Sequence, residues 1–250
     1  MIFSLNKILP GIYHLCFDTN VNLCAHFMRY QEYYESPKFS SKPFQMMDFF
    51  KWYCKQNYQD SKASDNFTYF TDWAGFNIPV EIVIDLYPKI EDLNDHDKFM
   101  YLIAKMVLKE ESRAYFIGSS EETSQVFEHE IAHGLYYLND QYRQEMDILV
   151  REIPLDTKNG LCKVLTKMGY YDKVIVDEIQ AYLSTGPMPE MEVSQEIEDK
   201  FVAVFRRFYP KVEKKAKRSK KGIEIWECCD IVESVQAKQL GTKPAHRTLV

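Results

Sequence analysis

The sequence predicts an α+β protein in which a small mixed or antiparallel sheet supports a set of amphipathic helices. Three observations favour this class. Apolar and polar residues alternate near the start of the chain, helical periodicity dominates after residue 95, and a short apolar strand precedes a helix near the middle. The 250 residues are 46% hydrophobic and 14% aromatic, which is enough apolar material for a core and excludes disorder or a coiled coil.

The N-terminal elements are predicted from alternation and aromatic clusters. Residues 11–34 alternate loosely and predict two antiparallel strands that turn at residues 18–20. Residues 44–56 carry aromatic side chains at helical spacing, and residues 67–84 are rich in β-branched and aromatic residues, which predicts a strand broken by Gly and Pro. Residues 95–109 have one apolar face and predict an amphipathic helix.

A strand followed at once by a helix is predicted in the middle of the chain. Residues 113–118 read as a short strand that ends at a glycine. Ser119 and Glu122 have the spacing of a capping box, so a helix is expected from about residue 120 to residue 139. Further helices are expected at residues 141–152, 157–168, 172–184 and from 197 to 208, with a linker at 184–195, a basic run at 211–221 and a last strand at 223–226.

These elements suggest three regions. Residues 1–94 are expected to supply aromatic-rich strands and a helix that pack on a metal-binding region. Residues 95–186 are expected to form the zinc-binding catalytic region, and residues 187–250 a C-terminal helix with the basic run and a short strand.

The charge balance excludes some classes of function. The chain carries 31 Lys+Arg and 37 Asp+Glu, a net charge of -6, so it lacks the positive field that attracts nucleic acid or anionic lipid. The basic run has no interleaved aromatic residues for base stacking, and we interpret it as a solvated helix end. No apolar run reaches the roughly 18–20 residues of a membrane span. Nucleic-acid binding and a membrane span are therefore not expected.

The N-terminal residues and the cysteines indicate a compartment. Residues 1–17 are apolar but interrupted, and they lack a basic start and a small-residue cleavage site, so no signal peptide is predicted. The six cysteines are irregularly spaced, which favours free thiols in a reducing compartment. A cytoplasmic location is expected, and export by a route without an N-terminal signal is left open.

A His-Glu-Ile-Ala-His motif begins at His129 and is the most informative pattern in the chain. Positions i and i+4 of a helix lie one above the other about 6 Å apart, so His129 and His133 are able to bind one ion. Glu130 lies one position further round, too far to be a ligand but near enough to a water on the ion to act as general base. Zinc is the expected cofactor, because a catalytic zinc takes three protein ligands and keeps a fourth position for water.

Two other interpretations of the motif require different neighbouring residues. The histidines are core residues if neighbouring groups satisfy their hydrogen bonds. The longer motif His-E-x-x-H-x-x-G-x-x-H requires Gly and His where this chain has Tyr136 and Asn139, which excludes that branch.

The third zinc ligand is predicted to be Glu178. It lies on a separate predicted helix, 45 positions after His133 (178 − 133), and the small Ala181 one turn later allows the two helices to approach closely. Asp140 is expected at a helix end that points away. Cys162 suits zinc chemically, but its apolar setting favours a buried thiol.

The predicted edge strand, the helix with the His-Glu-x-x-His motif and the later Asp177-Glu178-x-x-Ala181-Tyr182 resemble the zincin metallopeptidases, specifically the gluzincin branch, whose third ligand is a glutamate. The resemblance covers about residues 95–186. In the thermolysin-like pattern an Asp four residues after the glutamate supports a zinc-binding histidine, whereas this chain has Tyr182. Which groups orient His129 and His133 is therefore left open.

The resemblance implies a zincin-like fold and a peptide or protein substrate bound as an additional antiparallel strand along the edge strand. The substrate-binding residues are then Tyr115, Phe116, Ile117, Gly118 and Ser119. The donor that stabilises the oxyanion is left open among Tyr142, Tyr170, Tyr171 and Tyr182.

Together these patterns predict a hydrolase, a zinc metallopeptidase in which His129, His133 and Glu178 bind zinc and Glu130 activates water. Two alternatives stay open. One is a non-catalytic, zinc-stabilised interaction protein, and the other is a metal-dependent hydrolase of non-peptide amides. The sequence does not indicate an oligomeric state.

Overall fold

A four-stranded sheet lies at the centre of the protein in the computed structural model, which describes residues 3–56, 67–120, 127–170 and 172–210. β1 (Phe3–Leu9) and β2 (Ile12–Phe17) form an antiparallel hairpin. β4 (Tyr115–Ser120) runs parallel to β2, and β3 (Gly75–Pro79) pairs antiparallel with β4, which gives the order β1-β2-β4-β3. The predicted α+β class with a small mixed sheet is confirmed.

Helices pack on both faces of this sheet. In chain order they are α1 (Asn20–Glu35), α2 (Met46–Gln56), α3 (Tyr69–Asp72), α4 (Val80–Leu86), a 3-10 turn (Tyr87–Lys89), α5 (Asp95–Val107), α6 (Phe127–Leu138), α7 (Asp140–Glu152), α8 (Leu155–Lys167), α9 (Ile175–Thr185) and α10 (Gln195–Phe208). No described helix is both long and apolar enough to cross a lipid bilayer.

The alternation of side chains along the sheet divides the core into two clusters. Phe116 of β4 belongs to a cluster with residues of α1, α4 and α5, whereas Tyr115 and Ile117 belong to a cluster with residues of α6, α7, α9 and α10. Successive side chains of a strand point to opposite faces, so one buried strand contributes to both clusters.

The second of the two predicted N-terminal strands is wrong. The hairpin turns earlier, at Gly11, whose φ of 77° favours glycine. The residues that were expected to return as a strand form α1 instead, because Thr19 caps the helix and Leu23, Phe27 and Tyr30 bury one face at helical spacing.

Two further predictions need correction. Only Gly75–Pro79 within residues 67–84 is a strand, and α3 and α4 flank it. The capping box at Ser119 is wrong because this serine and Ser120 pair with β2 as the last residues of β4. Glu122 lies outside the described residues, and α6 is described from Phe127 onward.

The other helices are confirmed within a few residues. Those expected at residues 44–56, 95–109, 141–152, 157–168 and 172–184, and the helix after the linker, correspond to α2, α5, α7, α8, α9 and α10. The basic run and the last predicted strand lie outside the described residues.

The prediction that residues 113–118 form an edge strand is wrong. β4 is hydrogen-bonded to β2 on one side and to β3 on the other, and all six of its residues are buried. A strand paired on both sides has no free backbone groups for a further strand, so Tyr115, Phe116, Ile117, Gly118 and Ser119 are not an edge on which a peptide is able to pair. Among the described strands, β3 is the edge strand on this side of the sheet, and none of them pairs with its outer side.

Candidate metal centre

α6 carries the His-Glu-x-x-His motif close against the sheet. A Cβ added at Gly134 would lie 2.9 Å from Ile12 Cδ1 and 3.3 Å from Tyr115 Cδ1, so a larger residue would have to displace these side chains of the strands. Ile131 and Leu135 pack in the apolar core, and His133 and Glu130 are also buried. The helix is therefore held by its apolar face while the motif faces α9.

α9 brings Glu178 to the two histidines. The Nε2 atoms of His129 and His133 are 3.2 Å apart, and oxygens of Glu178 lie 3.6 Å from the first and 3.7 Å from the second. Ligands about 2.0–2.1 Å from a tetrahedral zinc are roughly 3.3 Å from one another. The three side chains that the sequence selected thus have a spacing that fits one zinc ion, and they are the group of potential metal ligands found among the described residues.

The charge environment of these side chains also fits a cation. Glu178 is 3% exposed, and its Oε2 has no hydrogen-bond partner among the described residues. Burial alone lowers the pKa of His133, but the carboxylates of Asp177 and Glu178 outweigh it and hold that pKa well above its ordinary value. A buried pocket with excess negative charge is stabilised by a bound divalent ion.

Asp177 is a supporting residue that the sequence did not identify. Its Oδ1 lies 2.9 Å from Nδ1 of His133, on the side of the ring opposite Nε2, the nitrogen nearest to His129 and Glu178. A carboxylate in this position fixes the tautomer and the orientation of a ligating imidazole. The sequence feature that indicates Asp177 is its position directly before Glu178. The fourth position after Glu178, where the thermolysin-like pattern has a supporting Asp, holds Tyr182, and the centroid of its ring lies 4.5 Å from that of His129.

Asn77 on β3 holds the carboxylate of Glu130. Its Nδ2 donates to Glu130 Oε2 at 2.8 Å, and the hydroxyl of Tyr115 donates to its Oδ1 at 2.5 Å. Burial raises the pKa of Glu130, which the histidine charges and the Asn77 bond partly oppose. Asn77 was also missed by the sequence reasoning, although one polar residue in the apolar strand Gly-Phe-Asn-Ile-Pro is a usable signal.

A cleft of about 560 Å³ opens above these residues. One wall is formed by α1, α2 and β3, and the other by α6, α9 and the segment before α9. Tyr170 and Tyr182 line it with their hydroxyls 3.4 Å apart, whereas Tyr142 is fully buried and bonds to Gln180. Tyr171 lies outside the described residues.

The two rejected ligand candidates are not part of the group. Asp140 is the first residue of α7, and Cys162 packs half-buried against the second apolar cluster. Comparison of the chain with protein-family models, with curated proteins and with solved structures gave no match.

Proposed function

We propose that this protein is a zinc-dependent metallopeptidase with a zincin-like arrangement of its site, in which His129, His133 and Glu178 hold zinc and Glu130 is the general base. The observation that carries this proposal is the convergence of three donor groups from two helices beside a buried carboxylate, in a cleft next to an open strand edge. When bound, zinc supplies Lewis acidity, which lowers the pKa of water to about 7 and polarises a carbonyl group.

Glu130 moves the proton in this proposal. Its carboxylate accepts a proton from the attacking water and donates it to the leaving amine. The bond from Asn77 fixes one carboxylate oxygen, so the side chain is oriented before the substrate binds. Burial raises the pKa of Glu130 toward neutral pH. A general base accepts and returns a proton most effectively when its pKa is close to the working pH.

β3 supplies the backbone groups for an extended substrate. The N–H of Asn77 points away from β4 and donates to Oε1 of Gln31 at 3.4 Å, so a peptide strand that replaces Gln31 is able to pair with the open edge. The hydroxyls of Tyr170 and Tyr182 lie on the opposite wall. Burial raises the pKa of both, which keeps them protonated as donors to a developing oxyanion.

The test measures metal content and turnover together. The purified protein is expected to contain one zinc per chain by mass spectrometry and to cleave members of a peptide library. Glu130→Gln is expected to retain zinc and lose turnover, whereas His133→Ala is expected to lose both. Glu152→Gln, an exposed change of the same type, is the control and should behave as wild type.

The alternatives are separate outcomes of the same experiment. Zinc with no cleavage of peptides or of small amides would identify a non-catalytic zinc site. Cleavage of small amides alone would identify a non-peptide hydrolase, and full activity of Glu130→Gln would refute the proposed base.

A further inference from the structure

We propose that the cleft selects substrates with a positively charged ammonium or guanidinium group near the scissile bond, and that Glu35 pairs with this group. The inference rests on the proposed peptidase function and names the substrate class of the same cleft.

Glu35 is an acidic residue of the cleft wall that is hydrogen-bonded to an amide side chain. It is the last residue of α1 and lines the cleft together with His133 and Glu178. The hydrogen bond to it comes from a neutral amide, since Gln31 Nε2 donates to its Oε2 at 2.7 Å. No Lys or Arg of the described residues forms an ion pair with it. Burial, and next the nearby charge of Glu178, raise its pKa, and His133 partly opposes them. A substrate cation beside Glu35 would act in the same direction as His133 and favour the charged carboxylate.

A bound peptide strand would pass close to Glu35. The same Gln31 side chain that donates to Glu35 accepts from the backbone N–H of Asn77 on the open edge of β3. Glu35 is thus separated from this edge by one amide side chain. A strand that pairs with β3 takes the place of Gln31, and a side chain or terminus of that strand is then within reach of Glu35.

The rest of the cleft wall also favours a positively charged group. None of the described residues that line the cleft is Lys or Arg. The carboxylates of Glu130 and Glu178 match the two charges of a zinc ion, and the lining holds three further acidic residues, Glu32, Glu35 and Asp72. Trp73 adds an aromatic face to the wall, and such faces attract ammonium and guanidinium groups. The ring of Trp52 already carries the ammonium of Lys38, 5.7 Å from its centroid.

The first experiment compares four peptides with the zinc-loaded full chain. They share the sequence of a neutral peptide that the library digest shows to be cleaved, and they combine a free or acetylated N-terminus with Lys or norleucine beside the scissile bond. A charge-assisted bond in a partly closed cleft is expected to raise kcat/KM for a charged peptide about tenfold or more over the acetylated norleucine peptide. An increase with the free N-terminus would identify the substrate's α-ammonium group as the cation, and an increase with Lys would identify a basic side chain.

Glu35→Gln tests the residue itself. It keeps the shape and the contact with Gln31 but removes the charge, so the charged-to-neutral ratio is expected to fall to about one to threefold. Glu152→Gln removes one exposed carboxylate outside the cleft and is expected to keep the wild-type ratio. A wild-type ratio near one for both charges, or a ratio that Glu35→Gln leaves unchanged, would overturn the inference.

A binding measurement separates this inference from the proposed function. Trp52 and Trp73 line the cleft, so intrinsic fluorescence reports binding of the same four peptides to zinc-loaded Glu130→Gln protein. If the library digest cleaves no peptide, the four peptides are built on an alanine pentapeptide instead. Charged peptides that then bind about tenfold tighter, with the difference lost in Glu35→Gln, would support the cation site and refute the peptidase assignment. If peptides are cleaved without any charge preference in rate or binding, the peptidase assignment stands and the cation site fails.

Discussion

Asp177→Asn is expected to weaken zinc binding although Asp177 is not itself a predicted ligand. Oδ1 of Asp177 lies 2.9 Å from Nδ1 of His133, and it accepts a hydrogen bond from Gln180 Nε2 at 2.8 Å. The substitution preserves the shape of the side chain but removes the negative charge, which makes the His133 imidazole a stronger electron-pair donor to zinc. Loss of such a partner costs about 10–100-fold in metal affinity, which is about 1.4–2.7 kcal/mol.

The assay is a competition titration of zinc against a chromophoric chelator at pH 7.5, with circular dichroism of the metal-free protein as a check on folding. Asp172→Asn, in the exposed turn before α9, is the matched control and should retain wild-type affinity. His133→Ala and Glu178→Gln should weaken binding further than Asp177→Asn does. An unchanged affinity of Asp177→Asn beside a large loss in His133→Ala would refute the supporting role, and an unchanged affinity of Glu178→Gln would refute the ligand set.

Three further predictions concern the base, the helix contact and the pH dependence of stability. Asn77→Ala is expected to lower kcat about tenfold or more and to move the acid limb of the pH–rate profile upward, because Glu130 loses a donor that favours its charged form; an unshifted limb would count against this. Gly134→Ala is expected to lower the free energy of unfolding by up to about 2 kcal/mol in urea titrations, because the contact of its Cβ with Ile12 outweighs the roughly 1 kcal/mol by which Ala favours a helix over Gly; an equally stable variant would show that α6 or Ile12 is able to move. Burial raises the pKa of Glu32 from 4.5 to about 7, so the folded state holds this proton more tightly than the unfolded chain does. The free energy of unfolding of the metal-free protein should therefore fall by up to about 3 kcal/mol between pH 4.5 and pH 7. Glu32→Gln should show a smaller fall than wild type, since Glu35 and Glu130 also have raised pKa values, and an equal decline in both proteins would assign it to those groups.

The parts of the fold that sequence predicted well are those set by neighbouring residues. The apolar periodicity of α5 and α10 is a local property, and so is the boundary of α9 near Gly186. The error at α1 has a local cause as well. Residues 21–27 fit alternation and helical spacing together, and Thr19 as a cap was the signal that favoured the helix.

The sequence by itself determined that His129 and His133 share one face of a helix, because a spacing of four residues is sufficient for this in any α-helix. It also selected Glu178, which the structure brings within 3.7 Å of both imidazoles. Only the tertiary structure decided the order of the strands, since a short apolar run has the same appearance in the middle of a sheet and at its edge. The open edge at β3, the bond from Asn77 to Glu130 and the wall that carries Glu35 all follow from that order. They join residues far apart in the chain, 46 positions for Gln31 and Asn77 and 53 for Asn77 and Glu130, and no local pattern encodes such contacts.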